Sequence, residues 1–178
     1  MVRQARRLFV KIWRISNHRD LAGAGGLRTG ARWHSAGHSV VYCAEHPASA
    51  LLEILAHLDV ANLAALPDGY QLLEIDVPDK VQIEAVPPHA LTLKWQSDED
   101  LTRQIGDRWL AGRSSPLLRV PSALVPKVWN YLINPAHRDA DALKIVSVAR
   151  YPFDTRLFKV VGGSARPRPA ARHRRREG

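Results

Sequence analysis

Residues 8–16, "LFVKIWRIS", alternate apolar and polar side chains as a strand does, and the face that carries Val10 and Ile12 also carries Arg14. A cation therefore stands where a core residue is expected. Residues 20–30, "DLAGAGGLRTG", are Gly-rich and loop-like, and "HSVVYCAE" after them is the short apolar, β-branched run of a strand buried on both faces. Pro47 suits the first turn of a helix, a position that needs no backbone donor. In that helix Ala48, Leu51, Leu52, Leu55 and Leu58 follow the spacing of a buried stripe, whereas Ser49, Glu53 and His57 form a separate row. This pattern sets Glu53 off the main core face.

"YQLLEIDVP" and "VQIEAV" read as strands, and "SDEDLTRQIGDRWLAG" reads as a helix in which Ser97 and Asp100 have capping-box spacing ahead of Leu101, Ile105 and Trp109. The last third, from Leu117 to Phe158, gives three more strands with Pro-broken connections. No internal repeat divides the body. Strands and helices mix without strict βαβ alternation, so the expected class is α+β, a single compact domain with a mixed β core.

Charge changes the picture only at the ends. The formal net charge is +9, but Arg166, Arg168, Arg172, Arg174, Arg175 and Arg176 against Glu177 place +5 in the last 13 residues, and Arg3, Arg6 and Arg7 place +3 near the start. Removing those two contributions leaves a body near +1, which is not a basic nucleic-acid surface. The expected organisation is a basic extension over 1–7, one domain over 8–160, and an Arg/Pro-rich tail over 161–178 too poor in large apolar residues to order itself. Cys43 is the single cysteine, which excludes an internal disulfide and fits a reducing cytoplasm. No apolar run matches a signal peptide or a membrane span, so neither export nor a membrane partner is expected.

Several tempting signals fail on spacing. The glycines at 23, 25, 26 and 30 form neither a dinucleotide fingerprint nor a phosphate loop. His34 and His38 lack a third ligand, so no metal is expected, and Cys43 near His46 sits inside an apolar strand where an inert thiol is the ordinary state. Arg14, Arg32, Tyr42 and Glu53 each have a bland reading: a strand end, a loop, a core phenol and a solvated helix face. As a set they suit other chemistry: two guanidiniums for a diphosphate, an aromatic ring for a flat heterocycle, and a carboxylate for a cationic sugar-like transition state. Cleavage of NAD has those needs. Nicotinamide leaves a pyridinium as a neutral base, no acid must protonate it, and the usual pair of glycosidase carboxylates reduces to one.

The same residues lie in segments that resemble the RES-domain toxins of bacterial toxin–antitoxin modules. The likeness runs through "IWRIS" with Arg14, "GARWH" with Arg32, "VVYCAE" with Tyr42, "PASALLEIL" with Glu53, "VPSALVP" with Ser122, and "NYLINPAH" with Asn134 and His137. It implies a fold similar to ADP-ribosyltransferases and an enzyme, a glycohydrolase or phosphorylase, that degrades cellular NAD. NAD would be the substrate, with no permanently bound cofactor and with water or inorganic phosphate as acceptor. Glu53, Arg14 and Ser122 would be catalytic; Arg14, Arg32, Tyr42 and Ser122 would hold the dinucleotide. The resemblance also implies an Xre-type helix-turn-helix antitoxin that blocks the site and supplies DNA binding, with the toxin a homodimer in that complex. His34 stands where the family often has Asn, which leaves its role open. Two other functions remain: ADP-ribosyl transfer to a macromolecule, and a non-catalytic module whose tail contacts nucleic acid.

Overall fold

The computed structural model describes residues 10–57, 69–150, 153, 154, 156 and 157. The expected N-terminal extension and tail lie outside them. Two compact units divide the chain. The first, residues 1–58 and 67–152, holds every element named below; of the second, the described residues show an exposed ion pair between Arg156 and Asp154 at 2.7 Å.

In chain order the elements are β1 (Val10–Ser16), β2 (Val41–Ala44), α1 (Pro47–His57), β3 (Gln71–Val77), β4 (Ile83–Ala85), α2 (Glu99–Gly112), β5 (Leu117–Pro121), β6 (Trp129–Ile133) and β7 (Lys144–Arg150). The seven strands form one sheet in the order β4-β5-β6-β2-β1-β3-β7. Only β4 and β5 pair in parallel; the other neighbours are antiparallel. The α+β expectation with a mixed β core is met.

Strand alternation divides the core between the two sheet faces. Ile12, Val41, Cys43, Ile75, Leu117 and Ile133 pack on one face. Trp33, Val40, Trp109, Leu118, Val120 and Leu132 pack on the other, beneath α2. β2 contributes to both, as its uninterrupted apolar run requires.

The middle of the sheet is its weakest seam. β1 matches β3 at seven positions from Val10↔Val77 to Ser16↔Gln71, but it meets β2 at Trp13↔Ala44 alone. Beyond that pair the two central strands part, and a cavity occupies the wedge between them.

Helix α2 fixes the loop that borders this wedge through the loop's backbone. Thr102 Oγ1 donates to the Arg32 carbonyl at 2.7 Å, and Arg103 Nε donates to the Ala31 carbonyl at 3.0 Å. One turn on, Asp107 Oδ1 accepts from Ser35 N at 2.8 Å. Between these anchors Gly106 lets the Trp33 backbone touch the helix: a Cβ there would lie 1.7 Å from the Trp33 carbonyl oxygen. A mid-helix glycine costs up to about 1 kcal/mol of helix propensity, and close approach is what it provides in return.

Two local expectations need correction. The N-cap of α2 is Asp98, whose Oδ1 accepts from Leu101 N at 3.0 Å, while Ser97 Oγ donates to the Lys94 carbonyl and closes the preceding 3-10 turn. Moving the cap by one residue preserves the physics, because a carboxylate satisfies the first-turn donors as well as a hydroxyl does. In α1 the buried residues are Ala50 and Leu55, whereas Ala48 is exposed and Leu52 is 47% exposed. The helix is therefore rotated from the expected stripe, and its row of mixed polarity turns inward.

Gly106→Ala should lower stability by about 2–3 kcal/mol, since backbone must retreat from backbone. Gly112→Ala, at the end of the same helix with nothing within 4 Å of the added methyl, should stay within about 1 kcal/mol of wild type. Urea unfolding of the two variants measures the difference, and equal midpoints would show that the loop can withdraw from α2.

Candidate active site

The wedge between β1 and β2 holds a cavity of about 450 Å³, within the usual range for small-molecule sites. Its walls include Trp13 and Arg14 from β1, Arg32 and Trp33 from the loop, Tyr42 and Cys43 from β2, and Asn130 from β6. Helix α1 supplies Ala50, Glu53, Ile54 and His57, spaced i, i+3, i+4 and i+7. That row is one helix face, so the rotation of α1 turns Glu53 toward the cavity rather than away from the core.

Glu53 is held by a short network. Ser122 Oγ donates to Glu53 Oε1 at 2.8 Å, and Asn130 Nδ2 donates to the same oxygen at 2.7 Å. Ser122 Oγ also accepts from Leu124 N and Val125 N, both at 3.2 Å. With two backbone N–H groups on its lone pairs, the hydroxyl proton is directed to the carboxylate, and the three bonds polarise one another in the same sense. Ser122 is buried and does not itself line the cavity, where Ala123 and Leu124 stand. It reaches the cavity through Glu53.

Arg14 follows Ile12 on β1 and lines the cavity; its Nη1 is buried, with no hydrogen-bond partner among the described residues. A partly buried guanidinium suits an anionic ligand. Its neighbour Cys43 is fully buried, and burial pushes the thiol up to about 12 against the opposing pull of Arg14. The thiol stays protonated, in keeping with the inert reading. His46 is not its partner: His46 Nδ1 accepts from Ala48 N at 3.2 Å, at the start of α1. Arg32 also borders the cavity, but Nη1 donates to the Gln96 carbonyl at 2.7 Å and Nη2 lies 3.8 Å from Glu99 Oε1. Arg32 thus spends a donor on the chain itself, whereas Arg14 Nη1 has no hydrogen-bond partner among the described residues.

Tyr42 presents its ring to the cavity and ties its hydroxyl behind. The hydroxyl oxygen accepts from Trp33 N at 3.2 Å and lies 2.9 Å from His34 Nδ1. Burial raises the phenol well above its ordinary range, with the Trp33 N–H opposing it, and burial lowers the His34 imidazole against the pull of Asp107. The Gly26 and Thr29 backbone also opposes that lowering, and Nε2 is buried with no regular hydrogen bond among the described residues. A neutral ring with its proton on that nitrogen leaves Nδ1 to accept from Tyr42. His34 thus stands outside the cavity and orients the phenol.

The structure brings Arg14, Arg32, Tyr42 and Glu53 to one cavity and sets Ser122 directly behind Glu53. Asn134 and His137 fall elsewhere. Asn134 Nδ2 donates to the Leu110 carbonyl at 3.1 Å and ties β6 to α2, and His137 Nδ1 accepts from Asp139 N at 3.0 Å. Sequence reasoning missed Asn130, though it lies in the quoted "NYLINPAH"; the available signal was an amide inside an otherwise apolar strand. Among the described residues no group of three or more His, Cys, Asp or Glu side chains could hold a metal, and no helix is long and apolar enough to cross a membrane.

Comparison with known proteins adds relatives to this geometry. A family model described as the RES domain matches residues 11–154. The chain is 45% identical over 147 residues to a Pseudomonas putida protein named Toxin Res, covering 83% of this chain and 99% of that one. It is 37% identical over 157 residues to a Sphingobium protein named Prs ADP-ribosylating toxin, covering 83% and 96%. Among solved structures it is similar in fold to a chain of the M. tuberculosis MbcT–MbcA toxin–antitoxin complex, with a TM-score of 0.60 and 16% identity over 89% of this chain and 91% of that chain.

Tyr42→Phe keeps the ring but removes the acceptor of Trp33 N–H and the donor to His34. Stranding these buried groups should cost about 1–3 kcal/mol, read as a lower thermal midpoint. An unchanged midpoint would mean that water replaces the hydroxyl.

Proposed function

The chain belongs to the RES-domain family, and on that premise we propose that it is the toxin of a bacterial toxin–antitoxin module that depletes NAD by cleaving the nicotinamide–ribose bond. The observation that carries this reading is one cavity lined by both Arg14 and Glu53, a carboxylate held from behind by Ser122 and Asn130. The diphosphate would pair with Arg14, and Arg32 would join by exchanging its contact with Gln96 for a phosphate oxygen. The Tyr42 ring offers a flat apolar surface to nicotinamide.

Cleavage needs little more from the chain. As the glycosidic bond lengthens, positive charge grows on the ribose and the pyridinium recovers its electron pair. The Glu53 oxygen not engaged by Ser122 and Asn130 is free to accept a ribose hydroxyl and to stabilise that charge. No side chain must protonate the leaving group. Water or inorganic phosphate would then take the ribosyl carbon, giving a glycohydrolase or a phosphorylase; NAD is a substrate here and not a resident cofactor.

Transfer of ADP-ribose to a protein is the second reading, favoured by the name of the Sphingobium relative. It shares the cleavage step and differs in acceptor. We further propose an Xre-type helix-turn-helix antitoxin that covers the cavity and contributes the DNA contacts, with the toxin a homodimer in that cytoplasmic complex; the toxin–antitoxin fold neighbour supports a partner of this kind.

Purified protein incubated with NAD, with and without phosphate, should release nicotinamide with either ADP-ribose or ADP-ribose-1-phosphate. Intact NAD, or ADP-ribose found only on a protein acceptor, would overturn the reading. Glu53→Gln should remain folded and lose on the order of 100-fold or more in rate. Arg14→Lys, which keeps the charge but not the planar two-point donor, should raise KM. Wild-type kinetics in both variants would remove these residues from the site.

A further inference from the structure

Asn130 is polar where its neighbours are not. Val120, Leu132 and Leu118 share its face of β5 and β6, and all are buried and apolar. The Asn130 side chain is 9% exposed and its Oδ1 is buried with no partner, so the amide makes one hydrogen bond, to Glu53 Oε1. A carboxylate oxygen at 2.7 Å fixes the amide's orientation, because only the NH2 end can face it. An unmatched buried oxygen is unfavourable for folding, and a leucine would fill this place without it. Stability does not account for the amide; the carboxylate does.

We propose that Asn130 is a positioning residue of the NAD-cleaving site: together with Ser122 it occupies Oε1 of Glu53 and thereby selects Oε2 as the oxygen that meets the ribose. The assignment rests on the NAD reading above. Two donors from different strand ends, one at the end of β5 and one on β6, hold the carboxylate against rotation about its terminal torsion, which is otherwise broad. In this role Asn130 acts through Glu53, the only side chain it is hydrogen-bonded to among the described residues.

Asn130→Asp tests this directly, since it keeps the shape and replaces the donor with a second carboxyl. At low pH one proton shared between the two carboxyls restores the hydrogen bond; as pH rises both ionise and repel. The other ionisable groups around Glu53 are Arg14 on β1, Arg32 in the loop, Tyr42 and Cys43 on β2 and His57 on α1. Profiles are therefore also recorded in a His57→Gln background to separate the imidazole.

The expected kcat of Asn130→Asp lies within about fivefold of wild type near pH 5 and falls on the order of 50-fold or more below it near pH 8, with KM little changed. Asn130→Leu should keep or raise the thermal midpoint while kcat falls about 10- to 100-fold at every pH. A pH-independent loss in Asn130→Asp accompanied by unfolding of Asn130→Leu would make the residue a packing element and overturn the proposal. Wild-type kcat in Asn130→Leu would do the same. Carbon-13 titration of the side-chain carboxyls serves as a readout that needs no turnover. If wild-type protein proves inert toward NAD, the NAD reading falls alone, and the titration still decides whether positions 53 and 130 share a proton. Independent titration of the two carboxyls overturns the positioning role.

Discussion

The contact between Gly106 and the Trp33 carbonyl is the constraint on which the cavity depends. It lets α2 lie against the backbone of residues 31–35, and the hydrogen bonds that Thr102 and Arg103 donate and Asp107 accepts then become possible together. Once that loop is fixed, Trp33 N is available to the Tyr42 hydroxyl, and Arg32 is placed over Gln96. A side chain at position 106 would collide with the Trp33 carbonyl, in the middle of the segment that makes these bonds. The precision of the site is set from a helix that, apart from bearing on the loop, contributes nothing to the cavity wall.

A division of labour follows across the sheet. The pairs that flank the centre, β1–β3 and β5–β6, carry long registers and most of the buried aliphatic side chains, whereas the β1–β2 seam is nearly unpaired and borders the cavity that Arg14 and, from α1, Glu53 line. Opening the sheet at that place removes ladder hydrogen bonds but creates a concave space with low-dielectric walls. Charges at Arg14 and Glu53 act more strongly there than they would on a solvated face.

Much of this was legible in the sequence, with instructive limits. Arg14 stood out because a cation broke an apolar alternation, and the structure shows it at the point where the strand loses its partner. "YQLLEIDVP" read as a strand, and in β3 every second residue, Leu73, Ile75 and Val77, is buried. Glu53 was misplaced because hydrophobic periodicity assigns the inward face to the most apolar row, and a cavity reverses that rule locally. Ser122 came from resemblance, and one hydroxyl both accepts from the Leu124 and Val125 backbone and donates to Glu53. The apolar row of α2 was visible, but its grip on the 31–35 loop was not, because Thr102 and Arg103 bond main-chain carbonyls that no side-chain pattern records. Strand order was likewise hidden, since pairing between distant segments is not encoded in local pattern.

The cavity also couples any ligand it takes to the stability of the fold. Its walls come from β1, β2, β6, α1 and the loop that α2 holds, so a ligand can meet them together only in the folded chain. A molecule that binds the folded state and not the unfolded one adds about 2.7 kcal/mol of stability at a hundredfold excess over its Kd. Resistance to heat and to proteolysis would then gauge how much of the cavity is filled.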